Sequence, residues 1–425
     1  MKQSALSKLG HRSEAPPISW LMEVTLSRPQ LISLAAGFTD NESLPVSDAR
    51  DLLNDLLRTR KTGQAALQYG TTAGDPVLRE LTAQDFRLLD GVLDNDKAYH
   101  ADRMIITNGS QQMLYMVTEA LCDEGDIVLV EDPTYFVYIG ILQSHGLRGR
   151  GVKMQEDGLN LEHLEKTLES LKKSGEIKRV KMLYLVSYYQ NPTGLTTSFE
   201  KKAAALKLLR KYEKAAGHPI YLLEDAAYRE LRFKGGDVKS ALAAKGFGNR
   251  VIYAGTYSKP FATGTRVGFG ILPDPVYTAV VRIKGNHDFG TSNLLQQLLV
   301  KAISSGKYEE HLTTLQRRYA KKAKGMLAAM KQFFPSEVQW WEPQGGLYYY
   351  ARLPKALKTG AKSKLFQKAL ARDVLYVPGE LCYANDPTRR KPENEMRLSF
   401  GGGTEQNIHI GIERLGGVLR EMLGK

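Results

Sequence analysis

From residue 103 to residue 271 the chain alternates short, strongly apolar runs with longer segments whose apolar residues recur every three to four positions. The runs at 103–107, 126–130, 182–186, 220–223, 251–255 and 267–271 are rich in β-branched residues and predict strands. The longer segments at 111–121, 161–171 and 198–215 carry helical spacing. Strands and helices in alternation predict an α/β fold, a mostly parallel sheet wrapped by helices, with ligands at the carboxyl ends of its strands.

Beyond about residue 290 the texture changes. A long helical stretch at 294–333 precedes short strands at 347–353, 374–378 and 396–400. Thr404 then reads as an N-cap with Glu405 behind it, opening an amphipathic helix that ends near Gly424. The expected organisation is an N-terminal arm over 1–45, a large domain over 46–290, and a smaller α+β domain over 291–425 that the arm joins.

Composition narrows the function classes. The 425 residues hold two cysteines, Cys122 and Cys382, without metal-ligand spacing, so neither a disulfide framework nor a metal site is expected. The polar N-terminus over 1–14 lacks a signal-peptide core, and no apolar run approaches the ~20 residues of a membrane helix. A cytoplasmic protein free of membrane contact is the expectation. Lys+Arg outnumber Asp+Glu by 59 to 46. The basic residues at 58–61, 172–181 and 201–214 alternate with acids and apolar residues, the pattern of solvated helix faces rather than of a nucleic-acid surface.

The most specific segment runs Thr256-Tyr257-Ser258-Lys259-Pro260-Phe261-Ala262-Thr263-Gly264-Thr265-Arg266-Val267-Gly268. It places a lysine after small hydroxyl residues at a strand end, with an arginine following, which supplies an amine for a Schiff base and several groups for a phosphate. Three other elements accompany it. Asn108-Gly109-Ser110-Gln111-Gln112 opens a helix after a strand, and its small residues and free N–H groups suit a phosphate, or else Ser110 is an ordinary N-cap. Tyr189-Gln190-Asn191-Pro192-Thr193-Gly194 ends another strand and is either a structural turn or a source of an amide donor. Glu224-Asp225-Ala226-Ala227-Tyr228 follows a very apolar strand, where Asp225 is a helix cap or a partner for a protonated ring nitrogen.

With these segments in this order, the chain resembles the fold type I, pyridoxal-phosphate-dependent aminotransferases of the class I/II family, which includes aromatic, kynurenine and 2-aminoadipate aminotransferases. The resemblance extends from about Leu31 to Arg420. It implies that Lys259 is the Schiff-base lysine, that Asp225 pairs the ring nitrogen, and that Asn191 and Tyr228 bind the phenolic oxygen. Ser110, Gln111, Thr256, Ser258 and Arg266 would surround the phosphate, and Tyr135 would stack on the ring. Tyr69, in Gln68-Tyr69-Gly70, matches a tyrosine that reaches the neighbouring subunit's phosphate, which implies a homodimer with shared active sites. Arg397, in Met396-Arg397-Leu398, resembles the family's substrate carboxylate clamp, and Gly37, in Ala35-Ala36-Gly37-Phe38, a glycine lining the site. Pro343-Gln344-Gly345-Gly346-Leu347 resembles a small-domain motif whose glycines serve backbone geometry.

The resemblance implies transfer of an amino group from an L-amino acid to a 2-oxo acid by ping-pong kinetics. A lyase or decarboxylase would use nearly the same residues. Regulators that join this fold to a DNA-binding domain are a third class, but the ~30 residues ahead of Leu31 are too few for such a domain. Trp20 and Met22, in the stretch of the arm that carries a distal-carboxylate arginine in some relatives, predict a preference for aromatic or large apolar donors. Their alternative role is to pack the arm.

Overall fold

The structure, a computed structural model, describes residues 5–35, 37–93 and 95–425. Residues 1–4 and 36 of the expected arm lie outside it. The arm contributes a short strand, β1 (Ile32–Ser33). Eight strands then build one sheet: β2 (Met104–Thr107), β3 (Ile127–Asp132), β4 (Arg148–Gln155), β5 (Gly158–Leu159), β6 (Val180–Val186), β7 (Tyr221–Asp225), β8 (Val251–Thr256) and β9 (Gly268–Ile271). Their spatial order is β2-β9-β8-β7-β6-β3-β4-β5.

Neighbours from β8 through β4 pair parallel, whereas β9 runs against both β2 and β8. Two reversals restore direction, so β2 points the same way as β8. The carboxyl ends of β2, β8, β7, β6 and β3 therefore share one edge with the amino end of β9. That edge is where an open α/β sheet presents a ligand crevice.

Side-chain alternation explains why these runs are apolar throughout. Leu222, Val251 and Tyr253 enter one core, and Leu223, Ile252 and Ala254 enter a second core on the other face. The helix Phe199–Ala216, capped by Ser198, brings Lys202 under the first face, where its ammonium lies 2.9 Å from Glu224. Both side chains are fully buried, and the Lys202 ammonium also sits 3.9 Å over the Tyr188 ring.

The smaller α+β unit carries an antiparallel sheet ordered β10-β11-β14-β13, built from β10 (Gln339–Trp341), β11 (Tyr348–Arg352), β13 (Val377–Pro378) and β14 (Glu395–Ser399). A separate strand, β12 (Val374–Leu375), pairs parallel with β1. Ser399 N–H donates to Leu34, and Lys322 donates to Asp40 at 2.9 Å, so the arm is bonded to this unit at several points.

The structure differs from the sequence reading in four places. The helical stretch expected at 294–333 is two helices, Asn293–Ser304 and Lys307–Phe333, broken at Gly306, whose φ of +76° ends a helix. The strand expected at 374–378 divides between two sheets, as β12 and β13. Strands β4 and β5 carry no apolar run, because Gly149 and Gly151 alternate with charged residues there. The fourth concerns Ser110: the helix Gly109–Leu121 begins one residue before it, so Ser110 lies in the first turn and Asn108 takes the cap position.

Candidate active site

Close backbone approach defines one end of the crevice. Gly109 has φ +76°, and a Cβ there would lie 2.7 Å from Arg266 Nη2. A Cβ on Gly268 would lie 2.5 Å from the Ser110 nitrogen. Two glycines thus let the start of the helix, the loop before β9 and the arginine converge. Arg266 is held in the left-handed region at φ +51°, with Nη1 3.5 Å from the Ser258 hydroxyl. Thr256 Oγ1 accepts from the Ser258 N–H at 3.0 Å, which fixes the turn between β8 and Lys259.

The sheet edge opens into a cavity of about 360 Å³. Gly37, Ser110, Gln111, Tyr135, Asn191, Asp225, Tyr228, Thr256, Ser258, Lys259, Arg266 and Arg397 all line it. The topology explains the convergence, since each of the large-sheet contributors follows a strand end on the shared edge. Gly37 and Arg397 arrive from the arm and from β14.

Lys259 Nζ donates to the Gly37 carbonyl at 2.8 Å. Burial, helped by the positive charges of Arg266 and Arg397, brings its ammonium down to about 8. No carboxylate pairs with Lys259 among the described residues, so its neutral amine is accessible near neutral pH. Asp225 shows the opposite shift. Burial pushes its carboxyl up to about 6, against the lowering effect of hydrogen bonds from Tyr184 at 2.8 Å and the Ala227 N–H at 3.2 Å. The turn that follows is anchored by Arg229, which donates to Asp90 at 2.6 Å and pairs with Asp237, fixing the backbone beside Tyr228.

Arg397 lies within β14 and is 1% exposed. Its Nη1 donates to Asn191 Oδ1 at 2.7 Å and its Nη2 to the Ala35 carbonyl at 2.5 Å. Because Asn191 accepts through its oxygen, its amide nitrogen is left for the cavity.

The sequence profile of the family described as aminotransferase class I and II matches residues 29–415. The chain belongs to this family. It is an enzyme, a transaminase, with pyridoxal phosphate as its cofactor. It is 33% identical to aromatic-amino-acid aminotransferase 1 of Thermococcus litoralis, over 93% of this chain and 89% of that one. The structure superposes on kynurenine aminotransferase from Pyrococcus horikoshii with a TM-score of 0.88 at 30% identity, covering 99% of this chain and 98% of the other. It superposes on LysN, an α-aminoadipate aminotransferase from Thermus thermophilus, with a TM-score of 0.84 at 31% identity, again over 99% and 98%.

In this aminotransferase the remaining cavity wall is mostly apolar, apart from Thr263 and the Tyr348 hydroxyl, and was mostly missed in the sequence. Pro16, Ile18 and Phe38 reach it from the arm, Phe136 and Val137 from the helix after Tyr135, and Tyr348 from β11. Neither Trp20 nor Met22 is among the lining residues. The Trp20 ring stacks on Phe366 at 5.7 Å and packs the arm against the small unit, the alternative role. A helix places residues two apart on different sides, so Ile18 faces the cavity when Trp20 does not. Tyr69 also stands outside the cavity, 82% exposed, with its ring edge-to-face on Phe289 at 5.4 Å. The glycine motif serves geometry as expected: a Cβ on Gly345 would lie 2.6 Å from the Tyr189 ring, and Gly346 has φ +70°.

Proposed function

We propose that this aminotransferase joins pyridoxal phosphate to Lys259 and moves an amino group from an aromatic or large apolar L-amino acid to a 2-oxo acid by a ping-pong mechanism. The observation that carries the reading is the half-buried, unpaired amine of Lys259, brought to about 8 in a cavity that also holds the Asp225 carboxyl and the Arg397 guanidinium. The cavity fits the cofactor. Arg266, Ser258 and the N–H groups opening the helix Gly109–Leu121 form a cradle that a Cβ on Gly109 would fill, which suits a phosphate.

Bound there, the cofactor supplies an electron sink for the substrate's α-carbon. The chain's residues do the rest. Ser110, Gln111, Thr256, Ser258 and Arg266 hold the phosphate, Tyr135 covers the ring face, and Asp225 keeps a proton on the ring nitrogen. Asn191 and Tyr228 donate to the phenolic oxygen, and Arg397 and Gly37 place the substrate carboxylate. The Lys259 amine, free once the substrate amine has taken its place on the cofactor, would act as the base that moves the substrate α-proton to the cofactor carbon on the other side of the nitrogen. A lyase or decarboxylase would share these groups, but the family and the relatives favour transamination.

The apolar wall supports the donor preference. Arg266 and Arg397 are the arginines on the cavity, both already assigned, and Arg28 donates instead to the Leu370 carbonyl at 3.4 Å. A distal carboxylate set against Ile18, Phe38 and Phe136 would lose hydration without a partner, at a cost of several kcal/mol. The Thermus thermophilus α-aminoadipate enzyme is itself known with N-(5'-phosphopyridoxyl)-L-leucine. Measuring kcat/KM for phenylalanine, leucine, glutamate and 2-aminoadipate with one fixed acceptor tests the preference. The expected gap is at least about tenfold in favour of phenylalanine or leucine. An acidic donor at the top contradicts it.

We also propose a cytoplasmic homodimer, divided into the arm 1–45, the large cofactor-binding domain 46–290 and the small domain 291–425. Exposure of Tyr69 and Phe289, with Gln111 and Arg266 at the open phosphate end, suits a second copy contributing Tyr69. Cys122 and Cys382 are free thiols that burial pushes up to about 12, in keeping with a reducing compartment. Within the basic stretches, Lys172–Glu169 and Lys211–Glu165 are exposed ion pairs, which supports solvated basic faces rather than a nucleic-acid surface. No helix among the described residues is long and apolar enough to cross a membrane.

A further inference from the structure

Tyr348 opens β11 directly after the turn that Gly345 and Gly346 make against Tyr189 and the Leu231 carbonyl. It is 1% exposed, yet it lines the cavity. Its ring meets the Tyr228 ring edge-on at 5.7 Å and lies under the Arg397 guanidinium, 4.3 Å from centroid to carbon. Its hydroxyl is 3.1 Å from the Tyr228 hydroxyl. A Cβ on Gly37 would lie 2.6 Å from the same oxygen, so the arm closes over it only with glycine at that position.

A phenol carries one proton to donate. When two phenols face each other, one donates to the other, and the proton of the acceptor remains available to a third group. Among the described residues neither hydroxyl has another hydrogen-bond partner. Tyr228 can therefore donate into the cavity only while Tyr348 is the donor within the pair.

We propose that Tyr348 is a positioning residue that donates to Tyr228 and so turns the Tyr228 proton toward the phenolic oxygen of the cofactor. This rests on the pyridoxal-phosphate reading above. Chained hydrogen bonds polarise one another, so the donation from Tyr348 also strengthens the one from Tyr228. Tyr228 remains a neutral donor throughout: burial first, and then the neighbouring phenols Tyr348 and Tyr135, push its phenol well above the usual range, against the opposing charge of Arg397. Tyr135 from the turn after β3, Arg397 from β14 and Tyr319 from the helix Lys307–Phe333 are the titratable groups facing the pair.

The consequence is measurable in the spectrum of the bound cofactor. A hydrogen bond to the phenolic oxygen withdraws charge that would otherwise help the nitrogen joining Lys259 to the cofactor keep its proton. Losing that bond lets the nitrogen stay protonated to higher pH. Absorption of the holoenzyme titrated against pH tests this in wild type, Tyr348→Phe, Tyr228→Phe and the double variant. Tyr228→Phe loses the bond outright and is expected to raise the midpoint by about 0.5–1 pH unit, the size of one neutral hydrogen bond, whereas Tyr348→Phe leaves Tyr228 its proton, removes only the polarising donation, and is expected to raise it by about 0.2–0.3 unit. In the Tyr228→Phe background Tyr348→Phe should add less than about 0.1 unit, since Tyr348 acts through Tyr228. The ring stays beneath Arg397, so KM for the donor amino acid should hold within about twofold. A midpoint unmoved by Tyr348→Phe overturns the proposal, as does an undiminished shift when Tyr228 is already Phe. A wild-type protein that shows no pH-dependent cofactor band overturns the cofactor reading itself, and this inference with it.

Discussion

Arg397 Nη1 donates to Asn191 Oδ1 at 2.7 Å, joining β14 of the small unit to the turn after β6 of the large sheet. A second bond, from Nη2 to the Ala35 carbonyl, brings in the arm. A guanidinium has five N–H donors, so three remain after these bonds, in a planar fork that matches a carboxylate.

Arg397→Lys keeps the charge and loses the fork. The expected result is a fall in kcat/KM of about 1.5–3 kcal/mol for every amino-acid donor alike. Steady-state kinetics across aromatic, aliphatic and acidic donors check it. A loss confined to acidic donors would show that Arg397 reads the side chain instead.

Asp225 combines a functional carboxylate with an unfavourable site. Its folded value of about 6 lies above the ordinary 3.8, so its contribution to stability is present at low pH and is lost as pH rises from about 4 through 6. Asp225→Asn removes that loss. Its cofactor-free form should melt no lower than wild type at pH 8, while turnover drops at least about 100-fold and cofactor occupancy falls much less. Parallel calorimetry and kinetics decide it; equal losses of binding and turnover would make Asp225 a structural residue.

Lys202 and Glu224 form a buried pair under the sheet. Lys202→Met strands the carboxylate and should cost about 3–5 kcal/mol in denaturant unfolding. Adding Glu224→Gln should recover a large part of it, because Gln keeps an acceptor for the Ala241 N–H, now 2.7 Å from Glu224. A double variant no more stable than Lys202→Met would show that packing, not charge, holds the site.

The central strands and their end-of-strand residues were legible because a sheet covered on both faces needs unbroken apolar runs and because its chemistry follows strand ends in chain order. Edge strands obey neither rule. In β4, Gly149 packs against Ala384 and Gly151 against Asp132, contacts set by distant residues rather than by local pattern. The same holds for the substrate wall. Ile18 rather than Trp20 faces the cavity because Phe366 takes the Trp20 ring, and Phe366 lies far along the chain. Tyr348 was hidden in an aromatic run, Tyr348-Tyr349-Tyr350, in which only pairing with β14 decides which ring meets Arg397 and which hydroxyl meets Tyr228.

The most direct test asks which lysine carries the cofactor. Holoenzyme reduced with borohydride and digested should show the reduced cofactor on the peptide containing Lys259. Lys259→Ala should fold normally yet lack both the adduct and the absorption band. Capture of pyridoxal phosphate by the cofactor-free protein should speed up with pH through a midpoint of about 8, since only the neutral amine attacks. An adduct on another lysine, or a borohydride-sensitive band surviving in Lys259→Ala, would contradict the account.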